Sequence, residues 1–167
     1  MGLVNEEKEV KVPSTTNDII DVNIDGVKLQ RFRINGDDNK ILELNTTDMG
    51  IVSRLNEAYK KLDKLANQAS DFKDSDIDDN SPEALDKLAK KLSDIDKQMR
   101  ELVDYIFDAN VSEVCCDRGT MYDPKNGMFR YEHIIGALAP LYENNFNKEF
   151  TAMKQRMKKH TAKYTKR

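Results

Sequence analysis

Long apolar runs are missing from this chain of 167 residues. No stretch approaches the roughly 18–20 apolar residues that a membrane-crossing helix needs, so no membrane span is expected. The opening Met1-Gly2-Leu3-Val4-Asn5-Glu6-Glu7 is too acidic for a secretory signal. Gly2 is followed by Glu6 where a myristoylation signal wants Ser or Thr. A soluble protein in the cytoplasm is the expectation. Cysteine is nearly absent too: Cys115 and Cys116 are adjacent and lack the Cys-x-x-Cys spacing of redox motifs. A bond between sequence neighbours is strained, so two free, partly buried thiols are expected. The only histidines, His133 and His160, have no Cys or second His at ligand spacing. Glycine loops that cradle phosphate, dinucleotide fingerprints and nucleophile motifs are all lacking. No metal and no cofactor is expected, and nothing supports an enzyme.

Two weaker signals fail on inspection or stay secondary. Asp74, Asp76, Asp78 and Asn80 have the alternation of a calcium loop. Counting from Asp74, however, Asp79 stands where the sharp turn needs Gly, and Leu85 stands where a bidentate Glu belongs. A solvated acidic linker is the reading. Charge is abundant, at 34% of residues, but nearly balanced at a net −3. Its placement is uneven. Lys154 to Arg167 holds basic residues and no acid, whereas Asp71 to Glu83 is acidic apart from Lys73. The two segments are complementary and could meet within or between molecules. A basic helix end with one Tyr164 and no reading motif makes nucleic-acid binding a secondary reading.

What the chain does have is two matched apolar seams. From Ser81 to Phe107 the residues Leu85, Leu88, Leu92, Ile95, Met99, Leu102 and Ile106 alternate gaps of three and four, one face of a helix. Ser81 suits the N-cap, Pro82 the first helical position, and Glu83 the positive end of the helix dipole. Ile51, Leu55, Ala58, Leu62, Leu65, Ala69 and Phe72 form the second seam, after a cap at Thr47 or Asp48. Tyr59 and Ala66 widen its stripe. Folding one onto the other pairs Leu62 with Ile95, Ala58 with Met99 and Phe72 with Leu85, so small residues meet large ones. Ala89 and Val103, apolar where a simple zipper carries charge, favour a bundle within one chain over a dimeric coiled coil. Self-association of that broad stripe is left open.

The expected fold is mainly α: a long antiparallel helical hairpin plus C-terminal helices, with a small N-terminal β-meander (α+β). Residues 1–17 are expected as a flexible arm. Residues 18–46 are expected as a three-strand meander. Its strands would be Ile20 to Ile24, Val27 to Ile34 and Ile41 to Leu44, with turns at Asp25-Gly26 and Asn35-Gly36-Asp37-Asp38. Residues 47–110 make the hairpin. Residues 111–167 make a turn-rich loop, then helices with a basic tail, and 18–167 form one domain. After Asn110 the helical period breaks, with turn signals at Gly119, Asp123-Pro124 and Asn126-Gly127. Pro140 should kink or break the helical run that starts near Phe129. That run continues through Phe150, Met153, Met157 and His160 and should fray near Tyr164.

Two stretches, Leu102 to Asn110 (LVDYIFDAN) and Met121 to Ile135 (MYDPKNGMFRYEHII), together with the strand-then-helix order, carry a likeness. They resemble small proteins of the tail modules of long-tailed bacteriophages of Gram-positive hosts: tail assembly chaperones or closely related tail-module proteins. The resemblance spans about Ile19 to Tyr164. It implies a non-enzymatic, mostly helical viral protein in the host cytoplasm that binds the tape-measure protein and assists assembly of the tail-tube protein. The other readings are a structural or adaptor component of the virion tail, and a nucleic-acid-binding accessory protein acting through the basic tail. On the chaperone reading the adaptable partner-binding face is Tyr142, Phe146, Phe150, Met153 and Met157, flanked by Lys158 and Lys159. The bland reading of the methionines is core filling, since Met99 and Met153 keep helical period with other apolar residues.

Overall fold

The computed structural model describes residues 19–24, 26–71 and 81–165, with side chains through Lys159. Its centre is the expected hairpin. Helix α1, Gly50–Ser70, runs antiparallel to α2, Pro82–Phe107. Two hydrogen bonds across the pair fix the direction. Arg54 Nε donates to the Ile106 carbonyl at 3.0 Å, and the Tyr105 hydroxyl donates to Glu57 Oε2 at 2.8 Å. The first turns of α1 therefore lie against the last turns of α2. Ile51, Ala58, Leu62, Ala66 and Ala69 of α1 are buried with Ile95, Met99, Val103 and Ile106 of α2. Volume alternation across the seam is what allows this close packing.

The ends of α2 follow from local chemistry. Ser81 Oγ accepts from the Ala84 N–H at 3.2 Å, and Pro82 takes the first position. The helix stops where Asp108 adopts the left-handed conformation, φ 49°, and its N–H returns to the Tyr105 carbonyl. The N-cap of α1 is Met49 rather than the expected Thr47 or Asp48, and it makes no side-chain cap bond. Asp48 Oδ1 still takes the Gly50 N–H at 2.8 Å.

The meander has two strands rather than three. Strand β1, Gln30–Arg33, pairs antiparallel with β2, Ile41–Leu44, in a register that sets Phe32 opposite Leu42 and Gln30 opposite Leu44. The turn between them uses positive φ at Asn35 and Gly36. Residues 19–24 lie outside any strand. Side-chain parity explains why. A two-residue turn at Asp25-Gly26 pairs Ile24 with Val27, hence Val22 with Leu29 and Ile20 with Arg31. Leu42 and Leu44 are fully buried, so the core face of β1 carries Gln30 and Phe32, not Arg31. The cis hairpin would turn Ile20, Val22 and Ile24 toward water, and a fixed turn leaves no way to slip by one residue.

Beyond α2 the chain makes a short helix the periodicity did not show, α3, Val111–Cys115. Asp104 starts it, accepting from the Ser112 N–H and hydroxyl, each at 2.7 Å. A loop then leads to a minimal hairpin of β3, Pro124–Lys125, and β4, Met128–Phe129, turned by Asn126-Gly127 at positive φ. Helix α4, Arg130–Thr165, follows without a break at Pro140. Proline frees the carbonyl of residue 136, and Gly136 and Pro140 are both exposed, so that carbonyl can be solvated without ending the helix.

The first half of α4 closes the base of the hairpin. Tyr131 packs edge-on to Tyr59 of α1, and Tyr142 packs on Phe107 of α2, with ring centroids 6.1 and 5.9 Å apart. Leu42 and Leu44, Val111, Met121, Ile134, Ile135 and Leu138 complete the core. Burial fades toward the hairpin tip, where Leu85 is 44% exposed. The N-terminal arm, the acidic stretch 73–80, Phe72 and the His160 side chain lie outside the described residues. So does the expected meeting of the acidic and basic segments.

Candidate protein-interaction surface

Helix α4 is 36 residues long, about 54 Å at 1.5 Å per residue. Its two halves have different surroundings. Tyr131, Ile134, Ile135, Leu138 and Tyr142 are buried, and Phe146 is half-buried against the core. From Asn147 to Lys159 every residue is exposed. Along this stretch Phe150, Met153 and Met157 are 41%, 45% and 62% exposed. They continue the seam of Phe146 with gaps of four, three and four, so they share one stripe of the helix. Lys158 and Lys159 lie exposed beside its end.

The expected partner-binding set is thus divided by the fold. Tyr142 and Phe146 are packing residues: their rings meet at 6.3 Å, and Tyr142 continues to Phe107. Burial pushes the Tyr142 phenol up to about 12. Phe150, Met153 and Met157 are the part that presents apolar surface outward.

What aims the helix is a polar node that the periodicity did not reveal. Arg100 of α2 holds Asp96 at 2.7 Å and donates to the carbonyls of Cys116 at 2.8 Å, Gly119 at 2.9 Å and Ser112 at 3.4 Å. The other Asp96 oxygen accepts from the Met121 N–H at 2.8 Å. Arg130, the first residue of α4, donates to the Arg118 carbonyl and sits 3.9 Å from Asp123. Burial works against the Asp123 carboxylate, but bonds from the Thr120 hydroxyl and N–H, with Arg130 and Arg100 nearby, lower its pKa below the ordinary value. The loop from Cys116 to Asp123 is therefore clamped between α2 and the start of α4. The one sequence signal was an Asp and an Arg four apart beside the seam, a spacing too common to single out. Asn145 adds a second tie, donating to Thr46 and Gln30.

Cys115 and Cys116 are free thiols, as expected, and burial pushes the Cys115 thiol up to about 11. His133 Nε2 lies 2.8 Å from the Lys125 carbonyl. Among the described residues no group of His, Cys, Asp and Glu is placed to hold a metal ion, and no helix is long and apolar enough to cross a membrane. A cleft of about 1020 Å³ opens between β1 and α4 over Phe32, Ile34, Ile134, Leu138 and Leu141. Two of its cations, Lys40 and Arg130, are already paired with Asp117 at 3.0 Å and Asp123 at 3.9 Å.

A family model matches residues 38–167: Med11, described as a Mediator complex protein. No curated protein and no solved structure matches the chain. The family match overturns the resemblance to phage tail assembly chaperones, together with the expected tape-measure and tail-tube partners and the cytoplasmic setting. The physical reason lies in the stretches that carried it. Leu102 to Asn110 is the capped end of α2, and Met121 to Ile135 is the clamped loop with the start of α4. Their most distinctive residues, Ile106, Phe107, Met121 and Tyr131, are buried and serve packing, which unrelated helical proteins also need.

Proposed function

The chain belongs to the Med11 family of Mediator complex proteins, and from that membership we propose that it is a non-enzymatic subunit of such a complex. It acts in the nucleus, in transcription regulation, by binding other subunits. The observation that carries the mechanism is the stripe of Phe150, Met153 and Met157 on the exposed half of α4. An amphipathic helix of this kind binds by laying its apolar side chains into a groove or against another helix. Methionine suits such a contact because its flexible, polarisable side chain adapts to the partner. The hairpin is scaffold, and the Arg100 node and the Asn145 tie hold α4 at its angle. Phe150 and Met153 stay 41% and 45% exposed among the described residues, which leaves them apolar surface to lay against another subunit.

The test replaces Phe150 and Met153 by Ser in the full chain. Co-purification with Mediator subunits should be lost while helicity and melting temperature stay unchanged. Retained association would refute the assignment of the stripe. Loss of fold would show that the two side chains are core residues after all.

A further inference from the structure

The exposed half of α4 carries charge as well as apolar surface. From Asn147 to Lys159 it holds five cations, Lys148, Lys154, Arg156, Lys158 and Lys159, against the single acid Glu149. All are exposed, and among the described residues none of these cations makes an ion pair. Two of them have a particular place. Lys154 follows Met153 and Arg156 precedes Met157, so at about 100° per residue they border the stripe on opposite sides. These are the flanking positions that choose the partner of a paired helix by its charge.

The counter-charge has to come from another molecule. Helix α4 starts beside the middle of the hairpin, where Tyr131 meets Tyr59, and reaches its base, where Tyr142 meets Phe107 and Asn145 meets Thr46. Its exposed half therefore leaves from the base. Asp71 and Glu83, which bound the chain's own acidic stretch, follow Ser70 and Pro82 at the tip, the opposite end of the 21-residue α1. A second copy offering the same stripe would bring cations to cations. A nucleic-acid backbone would answer the cations but has no apolar cover for Phe150 and Met153. We propose that the stripe is covered by an amphipathic helix of a different protein, whose apolar seam is bordered on both sides by Asp or Glu. Such a partner rests on the stripe being the contact, as in the proposed function, and adds the chemistry that selects it. Apolar burial holds the two helices together, and Lys154 and Arg156 set which helix is accepted.

Fluorescence anisotropy on the full chain tests this with two labelled peptides. One is a designed helix of about four heptads with a Leu seam bordered by Glu, and the other is its twin bordered by Lys. The Glu peptide should bind about tenfold or more tighter than its twin. Lys154→Glu with Arg156→Glu should reverse the preference, a result that a merely frayed helix would not give. Lys90→Glu with Lys97→Glu, the same change of charge at exposed positions of α2, should leave the preference unchanged. Equal binding of the two peptides, or a preference that survives Lys154→Glu with Arg156→Glu, would overturn the acidic partner. So would duplex DNA that binds more tightly than the Glu peptide and is indifferent to Phe150→Ser with Met153→Ser, or self-association of the chain that those two substitutions abolish. Co-purification separates this inference from the reading beneath it. If Phe150→Ser with Met153→Ser loses the Mediator subunits and Lys154→Glu with Arg156→Glu keeps them, only the acidic partner falls. If both variants keep them, the stripe falls as well.

Discussion

Replacing Arg100 by Met should loosen the loop that carries α4. The guanidinium sits 2.7 Å from Asp96 and serves three carbonyls, those of Ser112, Cys116 and Gly119. Methionine keeps the packing of the stem but supplies no donor. Asp96 then keeps its bond to the Met121 N–H and loses its counter-charge, and three carbonyls lose a partner. Breaking one side of a buried pair costs about 3–5 kcal/mol. The two side chains are 26% and 18% exposed, so water tempers the loss and we expect about 3 kcal/mol. For a chain of this size that lowers the melting temperature by roughly 6–12 °C. Urea unfolding followed by circular dichroism reads the difference directly. Arg100→Lys should fall between, because a compact ammonium cannot serve acceptors spread around a planar fork. A loss below about 1 kcal/mol for Arg100→Met would refute the claim that this node sets the base of α4.

Two further outcomes follow from the same geometry. The Tyr142 hydroxyl is buried with no hydrogen-bond partner among the described residues, so Tyr142→Phe should raise stability by about 1 kcal/mol in urea unfolding. A loss would mean that the hydroxyl is satisfied. Asp48, lowered chiefly by its bond from Arg54, and Asp123 both sit below the ordinary carboxylate value of 3.8. Their folded pKa values are depressed, so the stability they contribute is present above about pH 4 and drains away below it as each carboxylate takes a proton. Asp48→Asn with Asp123→Asn should flatten the acid limb of the melting-temperature profile, and an unchanged limb would count against both pairs.

The sequence by itself determined what is local or periodic. Alternating gaps of three and four marked both hairpin helices and favoured their pairing within the chain over a dimeric coiled coil, because a continuous stripe needs an equal one to be buried against. Ser81 and Pro82 set the start of α2, and Asn126-Gly127 and Asn35-Gly36 set turns, because those preferences are properties of one or two residues. The two free thiols and the mainly helical class were legible for the same reason. Tertiary structure alone decided the rest. Parity against the buried face of β2 denied Ile20, Val22 and Ile24 a place in the sheet, and α4 passes through Pro140 on a face where Gly136 and Pro140 are exposed. Core packing took Tyr142 and Phe146 from the expected binding face and left Phe150, Met153 and Met157 outside. The Arg100 node joins α2 to groups of the following helix and loop that lie 12 to 25 residues away. No pattern along the sequence encodes such convergence, because the energy of those contacts exists only once the elements have met.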